Sequence, residues 1–219
     1  MRLDEACKRF NHIANIPFGE LFSPEDLNTI IINKGKTGQL LELSLGMKLS
    51  SKNIDFEDGE LKTNKCDADG NPKETVFITQ ISSIIDELIA DCPRPFEQTH
   101  LYEKIRNILY VPVCKDGDPK KWMFLPSIHI DLDSPRYSKL KEIWRNDYYS
   151  ICEQLKQHIK TSSDGYIHTS NGQHIQIRSK DSKPYHPIYS SIYGRNVSNK
   201  NHAFYFQKQF VYDIRRMSL

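Results

Sequence analysis

The sequence predicts a mixed α/β fold, a sheet flanked by helices. Two runs, Thr75–Ile81 (TVFITQI) and Asn107–Val113 (NILYVPV), are β-branched and aromatic and read as strands. Between Pro135 and Ile159, Tyr137, Leu140, Ile143, Trp144, Tyr148, Ile151, Leu155 and Ile159 recur at helical spacing, which predicts the longest helix. At 219 residues, with 38% hydrophobic residues and 21 Tyr plus Phe, the chain can bury a real core, and the aromatic content argues against disorder.

The other elements follow in order. Residues 3–15 and 24–33 read as short helices, the second opened by Ser23-Pro24-Glu25-Asp26: a cap, a first-turn proline and two acids suited to the helix dipole. Residues 36–47 carry Leu40, Leu41, Leu45 and Met47 around one side, again helical. Lys52–Lys65 has strand-like parts around a tight Asp58-Gly59, and Asp69-Gly70-Asn71-Pro72 is a turn, so residues 53–81 read as a small meander. Helices are expected over 83–91 and 97–105, on either side of Pro93–Pro95. The strand beginning at Asn107 should be central, with Pro112 marking its end. Trp122–Ile130 reads as another strand and 165–180 as a hairpin. Residues 181–202 read as a long polar loop, and a short strand (AFYF) and a helix from Lys208 to Arg216 close the chain.

Composition narrows the setting. No apolar run approaches the roughly 20 residues of a membrane span, and MRLDEACKRF has no apolar core for a signal peptide. Five scattered cysteines without a CxxC argue against a disulfide framework or a structural zinc, so a reducing, cytoplasmic setting is expected. Net charge is +2, unevenly spread: residues 160–219 hold nine Lys/Arg against three Asp/Glu, and residues 1–159 hold 21 against 25. An acidic front and a basic back suit catalytic carboxylates in one part and a polyanion grip in the other; chance and a solubilising surface would give the same pattern.

The chemically informative stretch is Asp55-Phe-Glu-Asp-Gly-Glu60-Leu61-Lys62. On a strand, Glu60 and Lys62 share a face, and Asp55 lies just before the turn. Two carboxylates can hold a hard cation through oxygen, and a lysine can orient or deprotonate a bound water. That is the D…(D/E)xK requirement of a Mg²⁺-dependent phosphodiester hydrolase. Taken alone, the motif reads first as an exposed hairpin with solvated charges.

Six ordered blocks resemble the MutH endonuclease family and its GATC-cutting restriction relatives. They are Asn33-Lys34-Gly35 with Gly38-Gln-Leu-Leu-Glu42-Leu-Ser-Leu-Gly46; Ser51-Lys52, Asp55-Phe56 and Gly59–Thr63; Asp67–Gly70, Pro72, Glu74-Thr75 and Phe77; Lys104, Leu109 and Val111–Val113; Ile175–Lys180; and Phe204–Phe210. The resemblance covers about residues 33–215. It implies a restriction-endonuclease-like PD-(D/E)xK fold, a single nuclease domain over 1–219 with two lobes around a DNA cleft. Lobe 1, about 1–114, would hold the metal site; lobe 2, about 115–219, would hold the reading elements.

Residue by residue, the resemblance implies that Glu42, Asp55 and Glu60 bind the metal, that Lys62 is the catalytic lysine and that Lys104 is a second active-site lysine. Arg178 and Lys180 match the DNA-reading pair, with Ile175 and Ile177 packed on the opposite face; a guanine edge offers two acceptors to such cations. Tyr205 matches a tyrosine near the adenine methyl position, and Lys208 a backbone contact. The family spaces Asp and Glu two residues further apart than Asp55 and Glu60, so the turn here must be tighter, with Asp58 the weaker alternative ligand. Asp181-Ser-Lys-Pro-Tyr-His-Pro-Ile-Tyr replaces the family's alanine-rich stretch. The expectation is therefore a Mg²⁺-dependent (Mn²⁺ substituting), sequence-specific endonuclease on double-stranded DNA, a type II restriction enzyme with GATC as the best single site and a DNA methyltransferase as genetic partner. The alternatives are a methyl-directed mismatch-repair nicking enzyme activated by MutL, and a DNA-binding module with a dead site.

Overall fold

The computed structural model describes residues 1–33, 36–47 and 54–218. The parts of the expected pattern on Lys34, Gly35, Ser51 and Lys52 lie outside them. In chain order come α1 (Leu3–Phe10), α2 (Phe18–Leu21), α3 (Pro24–Ile32), α4 (Lys36–Ser44), β1 (Glu60–Cys66), β2 (Val76–Gln80), α5 (Ile85–Ile89) and α6 (His100–Ile105). Then follow β3 (Asn107–Cys114), β4 (Met123–Phe124), β5 (Ile128–Asp131), α7 (Ser138–Thr161), β6 (Ser170–Asn171), β7 (Ile175–Ser179), β8 (Ile188–Ser190), β9 (Arg195–Ser198), β10 (His202–Phe206) and α8 (Lys208–Ser218). Among the described residues no helix is long and apolar enough to cross a membrane, and the five cysteines are free thiols.

The chain forms two compact units that interleave along the sequence instead of meeting at one boundary near residue 114. The first is Met1–Val76, Ile105–Asp131 and Val211–Leu219; the second is Phe77–Lys104 and Leu132–Phe210.

In the first unit β1 pairs parallel with β3, from Glu60↔Ile108 to Cys66↔Cys114. On the far side of β3, β4 and β5 pair antiparallel. Period-two alternation sends Leu61, Leu109, Val111 and Val113 into one core with Phe10, Phe18, Leu27, Ile30 and Leu41 from the four helices. Each such buried side chain contributes roughly 1.5–3 kcal/mol relative to exposure. Ser23 caps α3 as expected, its Oγ accepting from the Asp26 N–H at 3.2 Å, with Pro24 at the first helical position.

In the second unit a four-stranded sheet runs β2-β10-β7-β6. Ile175 and Ile177 are fully buried beside Phe204 and Phe206. Trp144 of α7 packs on Phe206, ring centroids 4.8 Å apart, and Phe206 stacks on Phe210 at 4.1 Å. The β6–β7 turn is held by a buried carboxylate: Asp147 accepts from the N–H groups of Gln173, His174 and Ile175 at 2.6, 2.7 and 2.9 Å. Gly172 is required there, since a Cβ would stand 2.3 Å from the Asp147 carboxyl.

Several expectations are corrected. The first helix ends at Phe10, and residues 11–15 are a turn in which Asn15 takes φ 61° and donates to the Phe124 carbonyl. There is no meander over 53–81, because β1 and β2 enter different sheets. Pro112 does not end its strand. It falls between the stretches of β3 paired with β5 (through Tyr110) and with β4 (from Val113), and its carbonyl accepts from Leu125 N–H on that side. A missing N–H therefore costs no ladder bond there. The expected 122–130 strand is two short strands broken at Leu125-Pro126-Ser127. Residues 181–202 contain the β8–β9 hairpin, anchored when Asp86 accepts from the Ser190 and Ser191 hydroxyls and the Ser191 N–H.

Candidate active site

The site is built at the start of β1. Glu60 and Lys62 share a strand face, and Lys62 Nζ lies 2.7 Å from Glu60 Oε2, with side chains only 11% and 3% exposed. Asp55 is folded back onto the same strand end, its Oδ2 accepting from Leu61 N–H at 2.9 Å. The turn that returns it is as tight as the short Asp–Glu spacing requires: Phe56 N–H donates to the Gly59 carbonyl at 2.9 Å. A Cβ on Gly59 would stand 2.6 Å from both the Asn107 carbonyl oxygen and Leu3 Cδ1, so only glycine fits. Asp58 is occupied elsewhere, accepting from Leu3 N–H at 2.8 Å and pairing with Arg2 at 3.1 Å.

Electrostatics join these groups. Burial, then the Glu60 charge, pushes the Asp55 carboxyl up; the Leu61 N–H and Lys62 pull against this, and Asp55 is also hydrogen-bonded to Glu60. Glu42, on α4, is raised by burial and then by the charges of Asp55 and Glu60, with Lys62 opposing. Two buried carboxylates can touch only with a shared proton or a bound cation between them. Among the described residues no three His, Cys, Asp or Glu side chains are arranged as a full metal-ligand group. The contacting pair is Asp55 and Glu60, while Glu42 acts on it through charge. A two-carboxylate donor set fits Mg²⁺, which keeps several waters and takes the remaining oxygens from phosphate. Lys104 lies on α6, half-buried, within the second unit.

The second unit gathers the other expected residues. Arg178 and Lys180 share one side of the β7 segment, opposite Ile175 and Ile177. The Arg178 guanidinium stands over the Tyr205 ring at 4.3 Å. The Lys180 ammonium stands over the Phe77 ring at 3.6 Å, and Phe77 meets Tyr205 edge to face at 5.7 Å. Four side chains from three strands thus alternate cation, ring, ring, cation. Burial lowers the Lys180 pKa and raises that of Tyr205, against which Arg178 pulls. Lys208 is exposed at the first residue of α8, apart from the rings. Phe77 has a structural part here that the sequence reading did not give it. The signal was available: Val76 and Ile78 are buried, so Phe77 is the large apolar side chain left on the outer face of β2.

A carboxylate pair and a lysine at a strand start, in a sheet flanked by helices, are the arrangement expected of a PD-(D/E)xK nuclease. Residues 45–127 match the family profile described as DNA mismatch repair enzyme MutH. Proteins named DNA mismatch repair protein MutH are similar over most of their length. That of Haemophilus ducreyi is 29% identical over 94% of this chain and 89% of its own. That of Buchnera aphidicola is 28% identical over 87% and 84%, and that of Vibrio parahaemolyticus 28% over 96% and 91%.

Proposed function

We propose that the protein is a divalent-metal-dependent DNA endonuclease of mismatch repair, nicking at a short site with GATC as the best candidate. The observation that carries this reading is the buried Asp55–Glu60–Lys62 cluster. Asp55 and Glu60 would hold Mg²⁺, with Glu42 adding negative charge. The cation, when bound, neutralises charge developing on the phosphate and acidifies a water. Lys62, kept in place by Glu60, orients that water or takes its proton. Lys104 is a candidate second active-site lysine, by resemblance alone. Arg178 and Lys180 are proposed to read guanine edges, Tyr205 to stand against the adenine methyl position, and Lys208 to hold the backbone.

The names of the relatives favour repair over the type II restriction reading expected from the sequence. A MutL-type partner is accordingly proposed as activator. The intact cluster argues against a dead DNA-binding module. The test is digestion of supercoiled plasmid carrying every four-base site, unmethylated, hemimethylated or fully methylated, with Mg²⁺ and with or without MutL. Nicked circles at GATC on unmethylated strands, increased by MutL, are expected. Linear products independent of MutL would return the restriction reading, cuts at other motifs would sink the GATC assignment, and no Mg²⁺-dependent cleavage would sink the enzyme.

A further inference from the structure

The first unit carries a cavity of about 470 Å³ to which the chemistry above assigns nothing. Pro112, Leu125 and Ile128 give it apolar surface, the Tyr212 ring adds an aromatic wall, and Arg215 and Arg216 of α8 bring two guanidinium groups. Arg215 is already seated. It donates to Asn71 Oδ1 at 3.4 Å and to the Asp69 carbonyl, both neutral acceptors that leave its charge uncancelled. The seat depends on Gly70, at φ +77°, where a Cβ would come within 3.1 Å of Arg215 Cζ. Arg216 is 78% exposed and only loosely paired, 3.7 Å from Asp213. Among the described residues, no acid lines the cavity.

The lining selects by chemistry. Apolar surface of this kind gains from an apolar body, and a nucleic-acid backbone would leave it unused. The guanidinium groups exclude a metal ion and favour a carboxylate, which the planar fork can bind through two oxygens. The volume falls in the range of small-ligand sites. We propose that this cavity binds a carboxylate carried on a ring or branched aliphatic body. The source is either a small organic acid or the C-terminal residue of a polypeptide, and the two are separable.

The test titrates the full chain by amide chemical shifts with four probes: 2-naphthoate, its neutral analogue 2-naphthylmethanol, N-acetyl-Leu-Phe with a free C-terminus, and the amide of that dipeptide. Saturable binding of at least one acid is expected, centred on residues 125, 128, 212 and 215, and about tenfold tighter than its neutral analogue. Naphthoate binding assigns a small acid, binding of the dipeptide acid alone assigns a polypeptide terminus, and both outcomes support the carboxylate site. Arg216→Glu, at a solvent-facing side chain, should weaken the acids about tenfold, and Leu125→Asp should do the same from the apolar side. Neutral analogues binding as well as the acids, affinity unmoved in both variants, or no saturation below about 10 mM would each overturn the proposal. Because the readout is binding, failure here leaves the nuclease reading untouched, and failure of the nuclease reading leaves the cavity's titration unaffected.

Discussion

The Lys180 ammonium rests 3.6 Å above the centre of the Phe77 ring, on a strand more than a hundred residues earlier in the chain. A cation over an aromatic face is stabilised by about 0.5–2 kcal/mol, more as it is desolvated, and burial already lowers the Lys180 pKa. Phe77→Ala should therefore release Lys180 and reduce discrimination between cognate and single-mismatch DNA by roughly 2- to 30-fold. Non-specific binding should barely move, and Phe77→Tyr should restore discrimination. Equal losses on cognate and random DNA, measured by competition binding, would count against this role.

Asp55 is a half-buried acid held against a buried one, and this sets a sign. Its raised pKa means that the folded, metal-free protein holds that proton more tightly than the unfolded chain does. The stabilisation is complete below the unfolded-state pKa and is lost as pH rises through the raised one. Asp55→Asn removes the penalised charge while its amide oxygen can still accept from Leu61 N–H. In metal-free buffer at pH 7 the variant should melt higher than wild type and cleave nothing. Adding Mg²⁺ should raise the melting temperature of wild type alone. A variant that melts lower would show that Asp55 stabilises the turn more than it strains the site.

Asp147 holds three backbone N–H groups from a position only 5% exposed. Asp147→Ala orphans all three and should cost about 3 kcal/mol or more. Asp147→Asn, which keeps one acceptor oxygen, should lose less. Chemical denaturation followed by Trp144 fluorescence reports it, since that indole packs on Phe206 beside the hairpin. A loss under about 1 kcal/mol for the alanine variant would mean that water replaces the carboxylate.

Reading and holding should separate. Arg178→Ala should relax site preference, since a bidentate base contact discriminates by about 1–3 kcal/mol. Lys208→Ala, at an exposed helix start, should weaken binding to all sequences alike and flatten the salt dependence by about one phosphate. If Lys208→Ala changed the cleavage pattern instead, the two roles would have to be exchanged.

The local parts of the fold were legible in the sequence, and the pairings were not. α3 announced itself through Ser23, Pro24 and two acids, and α7 through eight apolar residues in step, because caps and periodicity are written within a few residues. The supposed meander failed because β1 and β2 look like neighbours, yet each finds its partners far along the chain, β3 for one and β10 for the other. Polar composition hid β8 and β9, which the Asp86 anchor and buried Ile188 and Val197 hold without a long apolar signature. At the candidate site, the spacing singled out Asp55, Glu60 and Lys62, but only the ordered blocks of the resemblance set them above an exposed hairpin. The tight turn at Asp58-Gly59 was legible too; the reason that only glycine fits there was not, since it is the Asn107 carbonyl from another strand.

The interleaving of the two units bears on how the protein is made. The first unit takes its last segment from Val211–Leu219, after the whole of the second has been threaded. A chain emerging from the ribosome therefore carries Asp55, Glu60 and Lys62 long before the unit that frames them can close. Until α8 is released, the carboxylate pair sits in an unfinished scaffold.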